Sequence, residues 1–242
     1  MVHGAGGSTR TWRKQVEEFG KHYHLLIIDL PGHAGSAESS RNQDNYDFEW
    51  ISQRIWDVVD LHTKEPIHLV AVSLGSIIAM QMYELRPNGI SSLLFAGPIV
   101  SLSVKLRLLA RSGLFIAKII GFRNFYSLMA KIVLPRKNHK KSREIFVRES
   151  KFLSLEEYRK WTAMYGQYLD NTLRKLFNFQ PHIPMLIMVG GQDHLFLKPT
   201  LQYAQRFQTI SVEVVQRCGH LVSLEKSELF NRRCLEFLSS FK

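Results

Sequence analysis

Apolar residues along the chain fall into short unbroken blocks separated by longer stretches of helical periodicity. Blocks at 23–28, 67–72, 91–95, 185–189 and 211–215 read as strands, and stretches at 9–19, 46–62, 74–85, 200–207 and 227–241 read as helices. Strands alternating with helices in this way pair in parallel, with helices on both faces of the sheet. Strands this short and this uniformly apolar are buried on both sides. From Gly97 to Pro184 the pattern changes to helical segments without a strand, punctuated by Gly113, Gly121, Pro135 and Gly166. The expected organisation is therefore an α/β core from residues 1–96 and 183–242, interrupted by a helical insertion at 97–182.

With 242 residues and 45% hydrophobic content, the chain can bury a substantial core as a single α/β unit. No apolar run approaches the ~18 residues of a membrane span, and the first residues lack the charged, apolar and small-residue order of a secretory signal. Two cysteines, Cys218 and Cys234, do not make a disulfide framework. A reducing, cytoplasmic setting is expected. No metal-ligand spacing, phosphate-binding glycine loop or dinucleotide fingerprint occurs, so no cofactor is expected.

Charge is distributed unevenly. Residues 97–182 hold 17 Lys and Arg against 5 Asp and Glu, whereas the rest of the chain holds 15 against 16, so the net +11 resides in the helical insertion. Three readings of that segregation stay open: an anionic or phospholipid-like substrate, weak contact with an anionic membrane surface, and a solvated face with no partner. The apolar side of the insertion also suits the lining of an acyl pocket. Charge alone would permit nucleic-acid binding, but no nucleic-acid module is recognisable, and none is expected as a partner.

The chemistry centres on Ala71-Val72-Ser73-Leu74-Gly75, which follows an apolar strand and opens a helix. A serine at such a turn is exposed on a strained backbone, and the helix start places the Leu74 N–H where it can donate to a developing oxyanion. By itself the pattern also suits an ordinary strand-to-helix turn. Two further residues raise its weight. Asp193 follows the strand at 185–189 and His220 follows the strand at 211–215, so all three face the crevice beyond the carboxyl ends of parallel strands. Asp193 also suits a Gly-Gly-x-Asp turn, and His220 also suits a half-buried structural position. Cys218, two residues before His220, is a rival nucleophile or a packed core thiol.

Four segments now stand out: His3-Gly4-Ala5-Gly6-Gly7-Ser8, Asp29-Leu30-Pro31-Gly32-His33-Ala34-Gly35-Ser36, the Ser73 turn, and the Asp193 and His220 loops. In these the chain resembles the α/β-hydrolase superfamily, in its esterase, lipase and peptidase-like branch with a helical cap. The resemblance implies Ser73 as nucleophile, His220 as general base, Asp193 as the group orienting the imidazole, and the amides of Ala5 and Leu74 as the oxyanion hole. It makes 97–182 the cap. His3, His33 and Asp29 are expected to be structural, and His22, His24, His62, His68, His139 and His182 are assigned no role. The implied reaction is hydrolysis of a carboxylic ester with a hydrophobic acyl group, by a carboxylesterase or monoacylglycerol-lipase-like enzyme working through an acyl-enzyme. A peptidase, lyase or carbon–carbon hydrolase on the same triad, and a non-catalytic small-ligand-binding signalling protein, are the alternatives. One departure is marked: relatives usually carry strands ahead of His-Gly, whereas here only Met1 and Val2 precede His3, and amino-terminal strands are expected to be missing.

Overall fold

Four of the apolar blocks form strands, β1 (Ile67–Val72), β2 (Ile90–Ala96), β3 (Met185–Gly190) and β4 (Ile210–Val215), hydrogen-bonded side by side in that order and all parallel. They belong to a computed structural model that describes residues 1–36, 46–178 and 181–241. Register runs from Ile67 opposite Ile90 to Val72 opposite Ala96, and from Met185 opposite Ile210 to Gly190 opposite Val215. Successive strand residues enter opposite cores, as the two-residue period of a strand requires. Leu69, Ala71, Leu93, Phe95, Met185 and Ile187 join one core, whereas Val70, Val72, Leu94, Ala96, Leu186 and Met188 join the other.

Helices α1 (Arg13–Phe19), α2 (Phe48–His62) and α3 (Leu74–Leu85) accompany the first strand, with a 3-10 turn at Thr9–Trp12 leading into α1. Between β2 and β3 come α4 (Val104–Ile120), α5 (Phe122–Val133), α6 (Lys140–Glu149) and α7 (Leu155–Phe177). Helix α8 (Leu197–Ala204) joins β3 to β4, and α9 (Val222–Glu225) and α10 (Ser227–Ser239) follow β4. One core is closed by α2, α3, α7 and α8, through residues such as Trp56, Ile77, Leu176 and Tyr203, and the other by α1, α9 and α10, through Phe19, Val222 and Phe230. Capping sets several of the boundaries. Asp47 accepts the Trp50 N–H at 2.6 Å and so starts α2 two residues after Tyr46, while Ser154 accepts the Glu157 N–H at 3.1 Å and starts α7.

Two expectations fail for physical reasons. The block at 23–28 is not a strand, because its neighbour contributes only Met1 and Val2. Val2 makes single parallel bridges to Ile28 on one side and Ala71 on the other, with its N–H donating to the Val70 carbonyl at 2.9 Å. Gly113 and Gly166 do not interrupt helices: α4 and α7 run straight through them. A Cβ at Gly113 would lie 2.6 Å from the Tyr158 hydroxyl, so this glycine serves close packing of α4 on α7 rather than a break. Gly121, with φ +83°, and Pro135 do separate helices.

Candidate active site

Every strand points its carboxyl end at the same edge of the sheet, and the sequence-predicted residues sit just beyond those ends. Ser73 follows β1 with φ +52° and ψ −119°, a conformation that costs a non-glycine residue on the order of 1–3 kcal/mol. The turn is tied down on both sides. Ser73 N–H donates to the Ala96 carbonyl at 3.2 Å, and its own carbonyl accepts from the Ser76 amide at 2.9 Å and the Ser76 hydroxyl at 2.6 Å. The Ser76 hydroxyl in turn accepts the Ile99 N–H at 3.2 Å, linking the turn to the chain leaving β2. At Gly75 a Cβ would stand 2.5 Å from the Val2 carbonyl and 2.8 Å from that of His3. Its smallness thus admits the His3 loop.

His220 Nε2 lies 2.9 Å from Ser73 Oγ, and His220 Nδ1 lies 2.8 Å from Asp193 Oδ2. The carboxylate therefore receives the Nδ1–H, which leaves Nε2 to accept the serine proton. Asp193 is fully buried and His220 is 3% exposed. Burial opposes ionisation of Asp193, but electrostatic attraction to the His220 ring, the His220 hydrogen bond and the Phe196 and Leu195 amides outweigh it, holding its pKa below the ordinary carboxylate value. Those amides donate to Asp193 Oδ1 at 3.1 and 3.2 Å. His194 makes no part of this chain of contacts. Cys218 is fully buried and its thiol pKa is pushed far up by burial, which removes it as a rival nucleophile.

The loop at 3–8 passes over Ser73 and is held by two neutral histidines. His3 Nε2 accepts the Leu30 N–H at 3.0 Å and its Nδ1–H donates to the Gly4 carbonyl at 2.8 Å. His33 Nε2 accepts the Gly6 N–H at 3.1 Å and its Nδ1–H donates to Pro31 O at 3.0 Å. Burial lowers the pKa of His3 to about 4 and that of His33 to about 3, so both remain uncharged. Asp29 braces the same loop by accepting from the Thr9 amide at 2.7 Å and the Gly35 amide at 3.0 Å. With the loop fixed, the N–H groups of Ala5 and Leu74 have no hydrogen-bond acceptor among the described residues, and both residues line the cavity beside Ser73.

That cavity has a volume of about 230 Å³. Its walls are mostly apolar, Ile99, Leu102, Leu106, Phe125, Met129 and Phe146 among them. Tyr126, Tyr158 and Tyr165 also line it, and burial pushes their phenol pKa values up, so they stay protonated.

Several supporting residues escaped the sequence reading. His139 is fully buried, with Nε2 2.9 Å from Gln192 Oε1 and its ring against Gly219, between the Asp193 and His220 loops. Asn138 Nδ2 donates to Gln192 Oε1 at 2.9 Å and to the Arg217 carbonyl at 3.3 Å, and Glu225 Oε2 accepts the Gly219 N–H at 2.9 Å. Glu149, at the end of α6, is buried and accepts the Ser8 hydroxyl at 2.6 Å. Ser76, three residues after Ser73, and Gln192, immediately before Asp193, lie beside site residues in sequence, whereas Asn138, His139 and Glu149 lie far from them.

A family model described as alpha/beta hydrolase fold matches residues 1–227. Among characterised proteins, the chain is 26% identical to Monoacylglycerol lipase abhd6-B of Xenopus laevis over 271 residues, covering 100% of this chain and 75% of the relative. It is 32% identical to (E)-2-((N-methylformamido)methylene)succinate hydrolase of Acinetobacter baylyi over 90 residues, 36% of this chain and 32% of that protein. The chain covers 62% of a dihydrolipoyllysine-residue acetyltransferase component of an acetoin cleaving system from Pseudomonas putida, at 22% identity. It therefore matches under two thirds of two of these three relatives. Of solved structures, a thermophilic esterase from Thermogutta terrifontis superposes with a TM-score of 0.82 at 18% identity, covering 99% of this chain and 88% of the esterase. MenH from S. aureus gives 0.80 at 21%, covering 99% and 92%. At these identities the structural likeness speaks for the fold.

Proposed function

The chain belongs to the alpha/beta hydrolase fold family, and on that premise we propose that it is a serine hydrolase cleaving carboxylic esters of hydrophobic acids through an acyl-enzyme. One observation carries the reading: His220 bridges Ser73 Oγ at 2.9 Å and Asp193 at 2.8 Å, at a strained turn opening onto an apolar cavity. In this mechanism His220 takes the proton as Ser73 attacks the carbonyl, and Asp193 holds the ring and favours the imidazolium. The free Ala5 and Leu74 amides stabilise the tetrahedral oxyanion, each donor of this kind being worth about 3 kcal/mol of barrier. The alcohol leaves with the proton returned by His220, and the same imidazole then activates water to release the acid.

The helical segment between β2 and β3 acts as the cap in this reading, its apolar side lining the acyl pocket. Helix α4 divides its residues: Leu106 and Leu109 face the cavity, whereas Leu108, Phe115 and Ile119 are exposed. An exposed apolar face on a segment of +12 charge favours weak contact with an anionic membrane surface as well. Among the described residues no helix is long and apolar enough to cross a membrane. The two buried, unpaired cysteines fit a reducing cytoplasmic setting.

Labelling with a fluorophosphonate, followed by a chain-length series of p-nitrophenyl esters, tests the assignment. Labelling abolished by Ser73→Ala, with turnover rising on longer acyl chains, is the expected result. A folded chain that neither labels nor turns over any ester would overturn ester hydrolysis and favour the ligand-binding alternative. Sedimentation with anionic vesicles at low salt tests the membrane contact, which fails if the protein stays in the supernatant.

A further inference from the structure

Next to the catalytic cavity lies a second, strongly basic cleft of about 650 Å³. Its walls come from the start of α1, from α6, and from the loops after β4 and around α9. Arg13, Lys141, Arg217 and Lys226 stand on these walls, exposed, and none has an acidic partner among the described residues. Arg10, Lys14 and Arg148 join them, Arg10 over the Phe152 ring, Lys14 donating to Ser227 at 3.1 Å, and Arg148 paired with Glu149. Among the described lining residues the one carboxylate is Glu225, which faces inward to the Gly219 amide and lies 3.8 Å from His139. Like charges gathered on a concave wall repel one another and focus a positive potential into the cleft. An anion relieves that repulsion.

The location ties the cleft to the chemistry. Thr11, Ile145 and Leu224, all partly exposed, line both the basic cleft and the apolar cavity, so the two spaces adjoin across these side chains. Arg217 holds φ +54°, a strained value shared among the described non-glycine residues only by Ala34 and Ser73. Its carbonyl is tied through Asn138 to Gln192, the residue before Asp193. The cleft thus shares the loop that carries His220, and Asn138 ties it to the Asp193 loop.

We propose that this cleft binds phosphate groups carried on the leaving group of the substrate, so that the substrate is an acyl ester or thioester with an apolar chain and a phosphorylated alcohol or thiol. The proposal rests on the ester-hydrolase reading for the reaction and on the cleft alone for the anion. A lipid headgroup and a soluble phosphorylated thiol present the same chemistry, and the substrates below distinguish them.

Titration of the Ser73→Ala chain with sodium pyrophosphate at low ionic strength tests the cleft without catalysis. Saturable binding is expected, weakening as salt is added and falling about tenfold in the double variant Arg13→Gln/Lys141→Gln. Lys64→Gln, a charge removed on the opposite edge of the sheet before β1, should leave binding unchanged. No saturable binding, or an equal loss in Lys64→Gln, overturns the proposal. Hydrolysis of 1-dodecanoyl-lysophosphatidic acid, dodecanoyl-coenzyme A and 1-dodecanoylglycerol then compares two phosphorylated substrates with a neutral one. Either phosphorylated substrate should exceed the glycerol ester by about tenfold in kcat/KM, chiefly through KM, and the double variant should shrink that ratio. The better of the two identifies the source of the phosphate. If neither exceeds the neutral ester, the substrate assignment falls while ester hydrolysis stands. If Ser73 fails to label and no ester is cleaved, the hydrolase reading fails instead, and pyrophosphate binding still decides the cleft.

Discussion

Replacing Asp193 separates its role in orienting His220 from its role in holding its own loop. The carboxylate accepts three hydrogen bonds, from His220 Nδ1 at 2.8 Å through Oδ2 and from the Leu195 and Phe196 amides through Oδ1. In Asp193→Asn the amide oxygen can keep the two backbone donors, which places the NH2 group against His220. The imidazole must then accept at Nδ1 and carry its proton on Nε2, facing Ser73 Oγ with a donor where an acceptor is required. A wrong tautomer of this kind costs about 10^4 in kcat, or about 5 kcal/mol of barrier, with little loss of stability because no buried group is orphaned. Asp193→Ala differs, since two buried amides and the imidazole lose their acceptor. It should add roughly 1–3 kcal/mol of destabilisation to a similar loss of activity. Steady-state hydrolysis of a p-nitrophenyl ester and urea unfolding measure the two effects. If Asp193→Asn keeps more than about a tenth of wild-type kcat, or unfolds as easily as the alanine variant, the assigned tautomer is wrong.

His3 and His33 are neutral in the fold but protonate when it opens, because burial lowers their pKa values to about 4 and about 3 from 6.5. Between pH 6.5 and pH 4 the unfolded state therefore binds more protons, so stability falls as pH drops through this window, by on the order of 3 kcal/mol per histidine at pH 4. Urea unfolding at a series of pH values checks this, and a flat profile from pH 7 to pH 4 contradicts it. Gly75→Ala forces a Cβ to within 2.5 Å of a backbone carbonyl and should cost about 1–3 kcal/mol with a fall in kcat, read by thermal melting and ester turnover; an unperturbed melting temperature refutes the close approach. Ser76→Ala removes the hydroxyl that bonds the Ser73 carbonyl and the Ile99 amide. Its expected cost is also about 1–3 kcal/mol, and a variant as stable as wild type would show that this hydroxyl does not hold the turn.

Local pattern was enough to read the four strands, most of the helices, and the positions of Ser73, Asp193 and His220 at strand ends. Burial on both faces of a sheet makes a block apolar throughout, and the carboxyl edge of parallel strands is where crossover loops must begin, so both features are written in short stretches of chain. The block at 23–28 has the same composition, yet whether it pairs depends on a neighbour far away in sequence, and that neighbour provides one bridge at Val2. Gly113 looks like a helix break until α7 is seen against it. His139 and Glu225 carry no motif, and Gln192 is only the variable position of the Gly-Gly-x-Asp turn. Tertiary structure alone brought them together behind the His220 loop, and it alone assembled the basic cleft from α1, α6 and the loops around β4 and α9. Periodicity is a property of neighbours along the chain, whereas a cavity wall is a property of residues that meet only after the sheet has formed.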